Sequence, residues 1–352
     1  MQANFRVLYL AKGDRSYPSS RYRIWQFVDP LAREGVSVDV KALFDNRWMK
    51  QVLERQGLSR SVTRLGLGAE AILKRWAGFA GLADYDLVVL EQELAPLLPF
   101  LLERHLLTPA KRLAIELDDA HHLKPGRAGK FQKWFAAADG VICGNDFLAD
   151  AVRAAGGKPH VVPTVVDVEH YPVKEHRFEG PLRLVWLGLA SNLPHLRQCE
   201  EAFRHVAREM ELELVVISSE VPNLPGVNVR HEPWSEAEEG RLVSNCDVGL
   251  MPLPDEPWTQ GKCGLKLLQY MAAGLPAMAS PVGVNAQLAQ EGGVVLAATH
   301  GDWVEGIRRL SDPAERNELG GQGRRSVEAN WSLKVWAKRL ASVYRQLGAG
   351  HA

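Results

Sequence analysis

The chain of 352 residues has few cysteines and no long apolar run. Its four cysteines lie far apart, and none has the spacing of a redox pair or a metal site. Isolated thiols of this kind are typical of reduced proteins, so we expect a cytoplasmic protein. No stretch approaches the ~20 apolar residues that a membrane span requires, so we expect any membrane contact to be peripheral, at the inner face.

An excess of charge of one sign is also lacking. Lysine plus arginine and aspartate plus glutamate both number 42, which gives a formal net charge of zero. General nucleic-acid binders usually carry a strong basic excess. We therefore expect no nucleic-acid partner.

Two common nucleotide-binding motifs are missing. The first predicted strand is followed by Lys12, Gly13 and Asp14 rather than by the glycine pattern of dinucleotide-binding domains. The segment that ends in Lys262 and Cys263 has neither the first glycine nor the Ser/Thr of the NTPase phosphate loop. We therefore expect no coenzyme.

The sequence does contain a regular alternation of strand and helix patterns, which predicts an α/β protein with doubly wound sheets. Most strand patterns are continuous apolar runs, as expected for parallel strands that are buried on both faces. Helical patterns lie between them, for example at 26–34 and 198–210. The predicted strands are 6–10, 36–40, 87–90, 112–117, 140–143, 182–188, 213–217, 227–230, 248–251, 276–280 and 294–297.

A polar, proline-bearing stretch at 171–181 interrupts this alternation, and the series of strands begins again after it. The interruption predicts a linker at 173–181 between an N-terminal domain at 1–172 and a C-terminal domain at 182–330. Each domain would have roughly the ~150 residues of an ordinary domain. Residues 331–352 contain a further amphipathic helical pattern, at 332–347.

Residues 46–81 form a basic segment in which apolar side chains are interleaved with cations. A basic amphipathic helix can lie on an anionic bilayer, so the basic segment predicts contact with such a membrane or with an acceptor. The alternative is a solvated helix whose apolar stripe packs on the domain core. The basic residues are Arg47, Lys50, Arg55, Arg60, Arg64, Lys74 and Arg75, and the apolar ones include Trp48, Met49, Leu73 and Trp76.

The most informative pattern follows the strand predicted at 248–251. A proline-rich loop leads to a short helix that is predicted to begin near Gly264 and to end at Gly274. Lys262, Lys266 and Gln269 share one stripe of this helix, opposite the leucines. A helix N-terminus with two ammonium groups suits a pyrophosphate, and it would stabilise the charge that develops on a diphosphate leaving group. The alternative is that the lysines only extend from a surface helix.

Two further glycine loops come directly after predicted strands. Gly188 ends one strand, and Gly283 and Val284 follow another, with Asn285 expected to be the N-cap of the next helix. Open α/β sheets bind ligands at the carboxyl ends of their strands. We therefore expect these loops to lie beside the pyrophosphate.

In the N-terminal half, polar residues follow the strand predicted at 112–117. Asp118, Asp119 and His121 could orient a sugar hydroxyl or accept a proton from an acceptor. The alternative is a pair of helix N-cap residues with a surface histidine couple, His121 and His122. A zinc site is not expected, because adjacent histidines point in different directions and no third ligand is near in sequence.

The segment from 182 to about 295 resembles the donor-binding domain of the family 4 group of GT-B glycosyltransferases, the glycosyl transferases group 1. The resemblance is carried by the glycine loop at Gly188, by the sequence Met271-Ala272-Ala273-Gly274-Leu275-Pro276 and by the loop at 280–285. It is weaker in the first half, where Ser19–Arg23 occupies the first loop. The resemblance implies the GT-B fold, with two Rossmann-like doubly wound parallel-sheet domains that face each other across a cleft. In this family the terminal helix packs back on the N-terminal domain.

The resemblance also implies an activity. It is that of a hexosyltransferase-type glycosyltransferase of polysaccharide or glycolipid biosynthesis, which moves a sugar from a nucleotide-diphosphate sugar to a glycan, lipid-linked or other acceptor. The anomeric configuration would be retained, and no metal or cofactor would be needed. Ser20 and Arg21 would close over the diphosphate, and Gln269 would bind the ribose. The pyrophosphate would be held by Gly188, Lys262, Gly264, Lys266, Gly283, Val284 and Asn285, and the sugar or acceptor by Asp118, Asp119 and His121.

Two departures from the family pattern keep other functions open. The paired glutamates of the family are replaced by Gly261 and Gln269, and no basic residue occurs from Leu189 to Leu193. Lys262 and Lys266 would then replace the missing cations. The alternatives are a non-catalytic GT-B subunit that only binds a partner and a sugar-nucleotide epimerase.

Overall fold

The computed structural model describes residues 5–46, 66–68, 70, 71, 73, 75, 76, 79, 81–95, 98–178 and 180–350. The chain divides into two compact units. Unit 1 comprises Met1–Thr164 and Trp336–Ala352, and unit 2 comprises Val165–Val335. Each unit is built on one parallel sheet.

The sheet of unit 1 has six strands in the order β2-β1-β3-β4-β5-β6, and every pair is parallel. The five strands predicted in this half are confirmed. Strands β3 and β5 are buried throughout, as expected for strands inside a parallel sheet, whereas the edge strand β2 is only partly buried. The sixth, β6, was not predicted, since it has only three residues and lies at the sheet edge. The strands are β1 Phe5–Leu10, β2 Val36–Val40, β3 Leu87–Glu91, β4 Leu113–Leu117, β5 Gly140–Cys143 and β6 Pro159–Val161.

The helices of unit 1 are shorter than the sequence patterns predict. The helix predicted at 26–34 is a 3-10 turn, Trp25–Phe27, followed by α2, because Pro30 fits only in the first turn of a helix. The α-helices are α1 Pro18–Arg23, α2 Val28–Arg33, α3 Phe100–Leu106, α4 Ala128–Ala137 and α5 Asp146–Ala154. Residues 66–68, 70, 71, 73, 75 and 76 are also helical.

The last residues of the chain pack on the sheet of unit 1. They belong to a helix, α13 Leu333–Ala349, which corresponds to the pattern predicted at 332–347. Leu347 approaches Gly140 of β5 so closely that a Cβ on Gly140 would lie 2.4 Å from it. A Cβ on Gly348 would likewise lie 2.3 Å from the ring of Phe5. Glycine is therefore required at both contacts.

The sheet of unit 2 also has six parallel strands, in the order β12-β11-β10-β7-β8-β9. All six predicted strands are confirmed, with ends that differ by up to three residues. The core between this sheet and its helices includes Trp186, Phe203 and Trp303. The strands are β7 Leu182–Leu187, β8 Leu212–Ser218, β9 Val229–Pro233, β10 Val248–Met251, β11 Ala277–Ala279 and β12 Val294–Leu296.

The helices of unit 2 lie between these strands. The helix predicted at 198–210 is shorter, and a 3-10 segment, Ala190–Cys199, which contains Pro194, precedes it. The α-helices are α6 Glu200–Val206, α7 Glu239–Ser244, α8 Pro257–Gln260, α9 Leu265–Ala272, α10 Val284–Gln290, α11 His300–Arg309 and α12 Pro313–Asn330. In the part of the chain that the structure describes, no helix is both long and apolar enough to cross a membrane.

The strand orders fix where each sheet offers a binding crevice. In unit 1 the chain runs from β1 outward to β2 and then returns to β3 on the other side, so the order reverses between β1 and β3. In unit 2 it reverses between β7 and β10. Open α/β sheets bind ligands at the carboxyl ends of the strands at such a reversal. We therefore expect the ligand-binding residues to follow β1, β3, β7 and β10.

Candidate functional site

Helix α9 is the helix that the sequence predicts beside a diphosphate, and glycines set both of its ends. Gly264 precedes it with φ 70°, and Gly274 follows its last turn with φ 72°. Both angles lie in the left-handed region that glycine adopts without steric cost. The predicted start near Gly264 and the end at Gly274 are confirmed. The positive end of the α9 dipole therefore lies after the crevice strand β10, where an anion is favoured.

The two predicted lysines lie beside this helix end, each over an aromatic ring. The Nζ of Lys266 is 5.4 Å from the ring centroid of Trp186, and that of Lys262 is 5.2 Å from the ring centroid of Trp258. A Cβ on Gly188 would lie 2.9 Å from the Cε of Lys266. Gly188 therefore admits the Lys266 side chain, which brings the loop after β7 together with α9. Both lysines are partly exposed.

The glycine loop after β11 also packs against this region. A Cβ on Gly283 would lie 2.8 Å from the carbonyl oxygen of Gln260, and one on Gly264 would lie 3.1 Å from Val284. The sequence places three glycines in three separate loops. At each of them, another segment of the chain comes close to the glycine backbone: Gly188, Gly264 and Gly283. The loops at 260–264 and 283–284 form one packed group.

Asn285 is not the N-cap of the helix after this loop, so that prediction was wrong. Helix α10 begins at Val284, and Gly283 occupies the N-cap position. The chain enters the helix early because Gly283 turns it with φ 53°. Asn285 therefore lies in the first turn, is buried, and donates from Nδ2 to the carbonyl oxygen of Ser280 at 3.1 Å.

His195 is a third basic side chain in this region, and sequence reasoning missed it. Burial lowers the pKa of His195, and the charges of Lys266 and Lys262 lower it further. The imidazole therefore lies close enough to both ammonium groups to feel their charge. The available signal was its place seven residues after Gly188, just beyond the segment from Leu189 to Leu193 that lacks a basic residue.

Gln269 lies in a buried polar network. Its amide nitrogen donates to the hydroxyl of Tyr171 at 3.0 Å and to Oε1 of Glu239 at 2.8 Å. The Tyr171 hydroxyl and Nε1 of Trp234 also donate to Glu239, at 2.8 Å and 2.6 Å. The amide protons of Gln269 are thus bound within unit 2. The ribose contact predicted for Gln269 would have to be made without them.

In unit 1, a buried carboxylate organises the end of β3. Glu91 accepts hydrogen bonds from the hydroxyls of Ser19 and Ser20, both at 2.7 Å, and from the backbone N–H of Lys12 at 2.8 Å. Burial raises the pKa of Glu91, and the neighbouring charge of Asp118 raises it further. Glu91 therefore ties the loop after β1 and the start of α1 to the sheet.

Ser20 and Arg21, which the sequence predicts to close over a diphosphate, are both buried in unit 1. The Ser20 hydroxyl is held by Glu91 and accepts from the N–H of Gly13 at 3.0 Å. The guanidinium of Arg21 lies 4.8 Å from the ring centroid of Tyr22. Neither side chain is presented to solvent in this conformation.

Asp118 and His121 are brought together at the end of β4. Burial raises the pKa of Asp118, but the charge of His121, a hydrogen bond from Ser19 and the charges of Arg23 and Lys12 outweigh it, so the pKa lies below its usual value. His121 is buried and begins the 3-10 turn His121–Leu123, for which Asp118 and Asp119 provide no side-chain cap. An ionised carboxylate beside an imidazole can orient and polarise a sugar hydroxyl.

Lys12 and Gln92 complete this group, and sequence reasoning missed both. The Nζ of Lys12 donates to Oε1 of Gln92 at 2.8 Å, and Nε2 of Gln92 donates to Oδ1 of Asp118 at 3.4 Å. Lys12 follows β1 and Gln92 follows β3, so the pair lies at the reversal of the strand order. Within the described ranges, no three His, Cys, Asp or Glu side chains are grouped so as to hold a metal ion.

Of the basic segment at 46–81, the structure describes only a part. Arg47, Lys50, Arg55, Arg60, Arg64 and Lys74 lie outside the described residues, as do Trp48 and Met49. Arg75 is buried and donates to the carbonyl oxygens of Ala11 at 2.9 Å and Lys41 at 2.7 Å, and burial lowers its pKa to about 10. Leu73 and Trp76 are 68% and 50% exposed. The described part thus combines an anchoring arginine with two outward apolar side chains.

The comparisons with known proteins agree with this architecture. Residues 182–312 match the family described as Glycosyl transferases group 1. No curated protein sequence matches the chain. The matched segment covers β7 to α11 and therefore includes all three glycine loops and both lysines.

Solved structures resemble the chain over nearly its whole length. A glycosyltransferase from Rickettsia africae has a TM-score of 0.70 at 13% identity, covering 98% of both chains. A UDP-forming α,α-trehalose-phosphate synthase from Burkholderia xenovorans has a TM-score of 0.64 at 12% identity, covering 97% of this chain and 99% of the other. A putative UDP-N-acetylglucosamine 2-epimerase from Listeria monocytogenes has a TM-score of 0.60 at 14% identity, covering 97% and 96%. At these identities the likeness establishes the fold. The chain has the GT-B fold, and its residues 182–312 match the group 1 glycosyltransferase family.

Proposed function

We propose that the protein is a hexosyltransferase-type glycosyltransferase that moves a sugar from a nucleotide-diphosphate sugar to a hydroxyl of a glycan, lipid-linked or other acceptor, with retention of configuration. One observation carries the proposal. Lys266 meets the Gly188 loop beside Lys262 and the N-terminus of α9, at the strand reversal of unit 2 and within the segment that matches the glycosyltransferase family.

In this proposal the diphosphate lies at the start of α9. Breaking the glycosidic bond places negative charge on the diphosphate, and fixed positive groups stabilise that charge more in the transition state than in the ground state. Lys266 is the better placed of the two lysines, because Trp186 and Gly188 fix the course of its side chain. The rest of the diphosphate site would be lined by the backbone of Gly264, Gly283, Val284 and Asn285.

The lysines also make a divalent ion unnecessary in this proposal. Many transferases neutralise the diphosphate with a metal, whose charge dominates such a site. Here two ammonium groups and a helix terminus supply positive charge at the same place. His195, whose pKa is lowered by burial and by the charges of both lysines, would add a hydrogen-bond donor.

The sugar or the acceptor would contact unit 1 at Asp118, Asp119 and His121. The low pKa of Asp118 keeps its carboxylate ionised, so it can accept a hydrogen bond from a sugar hydroxyl. His121 can donate to or accept from the same substrate. These residues would orient the substrate that binds to unit 1.

The donor and acceptor classes are supported by the structural relatives. A further similar structure, from E. coli, has a TM-score of 0.62 at 12% identity and was solved with UDP-2-fluoro glucose. A synthase from Burkholderia xenovorans was solved with glucose-6-phosphate. A nucleotide sugar is therefore the donor class to test first. The exposed Leu73 and Trp76 of the basic segment would bring the protein to an anionic membrane surface or to a lipid-linked acceptor at the inner face.

A sugar-nucleotide epimerase is the second candidate function, because the Listeria monocytogenes structure shares the fold and carries that description. An epimerase needs no acceptor. Incubation with the donor alone, followed by product analysis, separates the two functions. Conversion of the donor sugar without a second substrate would favour the epimerase.

The test of the proposal is a thermal-shift screen against UDP, GDP, ADP and their sugars, followed by transfer assays with the donor that binds. A ligand that binds only the folded protein raises its apparent stability, by about 2.7 kcal/mol at 100 times its Kd. We expect one nucleotide and its sugar to raise the melting temperature, and transfer to a hydroxyl acceptor to follow. Binding without any turnover would instead indicate a non-catalytic subunit, and no stabilisation by any nucleotide would overturn the proposal.

A further inference from the structure

Gln92 has an unusual backbone conformation for a residue with a side chain. Its φ is 64°, and among the described residues it is the only one other than glycine with a positive φ. The N–H of Glu93 donates to the carbonyl oxygen of Glu91 at 2.9 Å, which closes a three-residue turn around Gln92. The γ-turn with positive φ is the rare and strained form. Such strain persists only where surrounding structure imposes it, and it is concentrated at functional sites.

The surroundings impose it here by burying the side chain and engaging both ends of its amide. Gln92 is 1% exposed. Its oxygen accepts from the Nζ of Lys12 at 2.8 Å, and its nitrogen is 3.4 Å from Oδ1 of Asp118. The amide thus connects a cation at the end of β1 with an anion at the end of β4.

We propose that Gln92 is a positioning residue, held in a strained turn so that its amide fixes the Lys12 ammonium and the Asp118 carboxylate as a pair that binds neighbouring hydroxyls of a sugar. The inference rests on the proposed function, in which Asp118 faces a sugar. It adds Lys12 and Gln92 to that site and assigns the ligand chemistry that they recognise.

The chemistry of the pair suits a sugar. Each sugar hydroxyl can both donate and accept, so a carboxylate accepts from one hydroxyl while an ammonium donates to the next. Lys12 is largely buried, and burial lowers its pKa, which makes a fixed partner such as Gln92 important for its orientation. The Gln92 oxygen takes one of its three protons.

A requirement for the amide explains why a glutamine occupies a position whose backbone conformation suits glycine. A glycine at residue 92 would adopt φ 64° without steric cost, but it would bond neither Lys12 nor Asp118. A side chain in a strained turn is consistent with a requirement for the amide. Substitution at residue 92 can therefore separate the effect of the backbone conformation from the effect of the amide hydrogen bonds.

The first test is Gln92→Gly. We expect the variant to fold, because the relief of backbone strain offsets part of the stability that is lost with the two buried hydrogen bonds. We expect kcat for transfer to fall about 10²-fold, as for other losses of substrate positioning, and nucleotide affinity to be unchanged. A stable Gln92→Gly protein with wild-type kcat would overturn the inference, because Gln92 would then be only a loop residue.

The second test is Gln92→Glu, which keeps the shape and the acceptor for Lys12 but places a negative charge beside Asp118. The groups that face Asp118 are the cations His121, Arg23 and Lys12 and the carboxyls Glu91 and Glu116. One more carboxylate should raise the pKa of Asp118, so the acid limb of the pH–rate profile should move to higher pH. Gln132→Glu, which adds the same charge at an exposed position on α4, is the matched control and should leave the profile unchanged.

A third measurement does not depend on catalysis. The titration of the Asp118 carboxyl, followed by ¹³C NMR, should shift in both Gln92 variants and should not shift in the Gln132→Glu protein. If no donor supports transfer, the proposed function fails while this titration still decides the positioning role. If Gln92→Gly does not fold, Gln92→Glu decides it. An Asp118 titration and a pH profile that both match the wild type would overturn the inference.

Discussion

Arg23 and Glu116 form an ion pair that is buried on both sides within unit 1. The Nη2 of Arg23 lies 2.5 Å from Oε1 of Glu116, and the two side chains are 3% and 1% exposed. Arg23 also donates to the carbonyl oxygen of Val162 at 2.8 Å. A buried pair of this kind is costly to form and costlier to break, because removing one partner leaves an uncompensated charge. The charge of Arg23 also helps to lower the pKa of Asp118.

This pair predicts a specific dependence of stability on pH. Burial raises the pKa of Glu116 from 4.5 to about 7, although Arg23 opposes the shift. Because the folded pKa lies above the unfolded one, the contribution of Glu116 to the free energy of unfolding is fully present below pH 4.5 and is lost as the pH rises to about 7. Denaturant unfolding of the wild type and of Glu116→Gln across this range measures it. The difference between the two proteins should fall steadily with rising pH, and a constant difference would contradict the prediction.

The fold was largely predictable, because its information is local. Runs such as 87–90 and Val248–Met251 are apolar without alternation, and such runs become parallel strands that are buried on both faces. Helix ends were predicted well where a glycine sets them, as at Gly274. The helix predicted at 26–34 was too long, because a proline, Pro30, lies inside its pattern and periodicity does not register a missing N–H.

The sites were predictable only where the pattern is local. Lys266 lies in the first turn of α9 and Lys262 lies just before that helix, so their closeness in sequence places them together. Gln92 joins Lys12 to Asp118 across 80 and 26 residues of sequence, and only the strand order brings these three together. The strained turn at Gln92 has no sequence signal, because glycine is the residue that usually marks a positive φ.

Metal independence is the next prediction. Because two lysines and the α9 terminus supply positive charge beside the diphosphate, we expect transfer to be unaffected by EDTA. The measurement is the initial rate with and without the chelator, and after magnesium or manganese is added back. Activity that is lost in EDTA and restored by either ion would show that the lysines do not suffice.

The basic segment predicts membrane or acceptor contact. Leu73 and Trp76 are exposed in a region rich in lysine and arginine, so we expect the protein to float with vesicles that contain phosphatidylserine and not with vesicles of phosphatidylcholine alone. Trp76→Ala should weaken flotation. Val221→Ala, an apolar side chain that is 66% exposed in unit 2, is the matched control and should have no effect. Equal binding to both kinds of vesicle, or binding to neither, would indicate that the basic segment packs on the domain core and does not bind anionic lipid.

The last prediction is the one on which the donor site depends. Lys266→Ala should reduce transfer by about 10²–10³-fold, because the developing diphosphate charge loses a preorganised partner. The fold should survive, since the lysine is partly exposed and its contact with Trp186 is worth about 1 kcal/mol. Lys334→Ala, an exposed lysine at the start of α13, removes the same charge and should keep full activity. Lys262→Ala should act in the same direction as Lys266→Ala, with a smaller loss because Lys262 precedes the helix. A folded Lys266→Ala protein that turns over and binds nucleotide like the Lys334→Ala control would show that the diphosphate lies elsewhere.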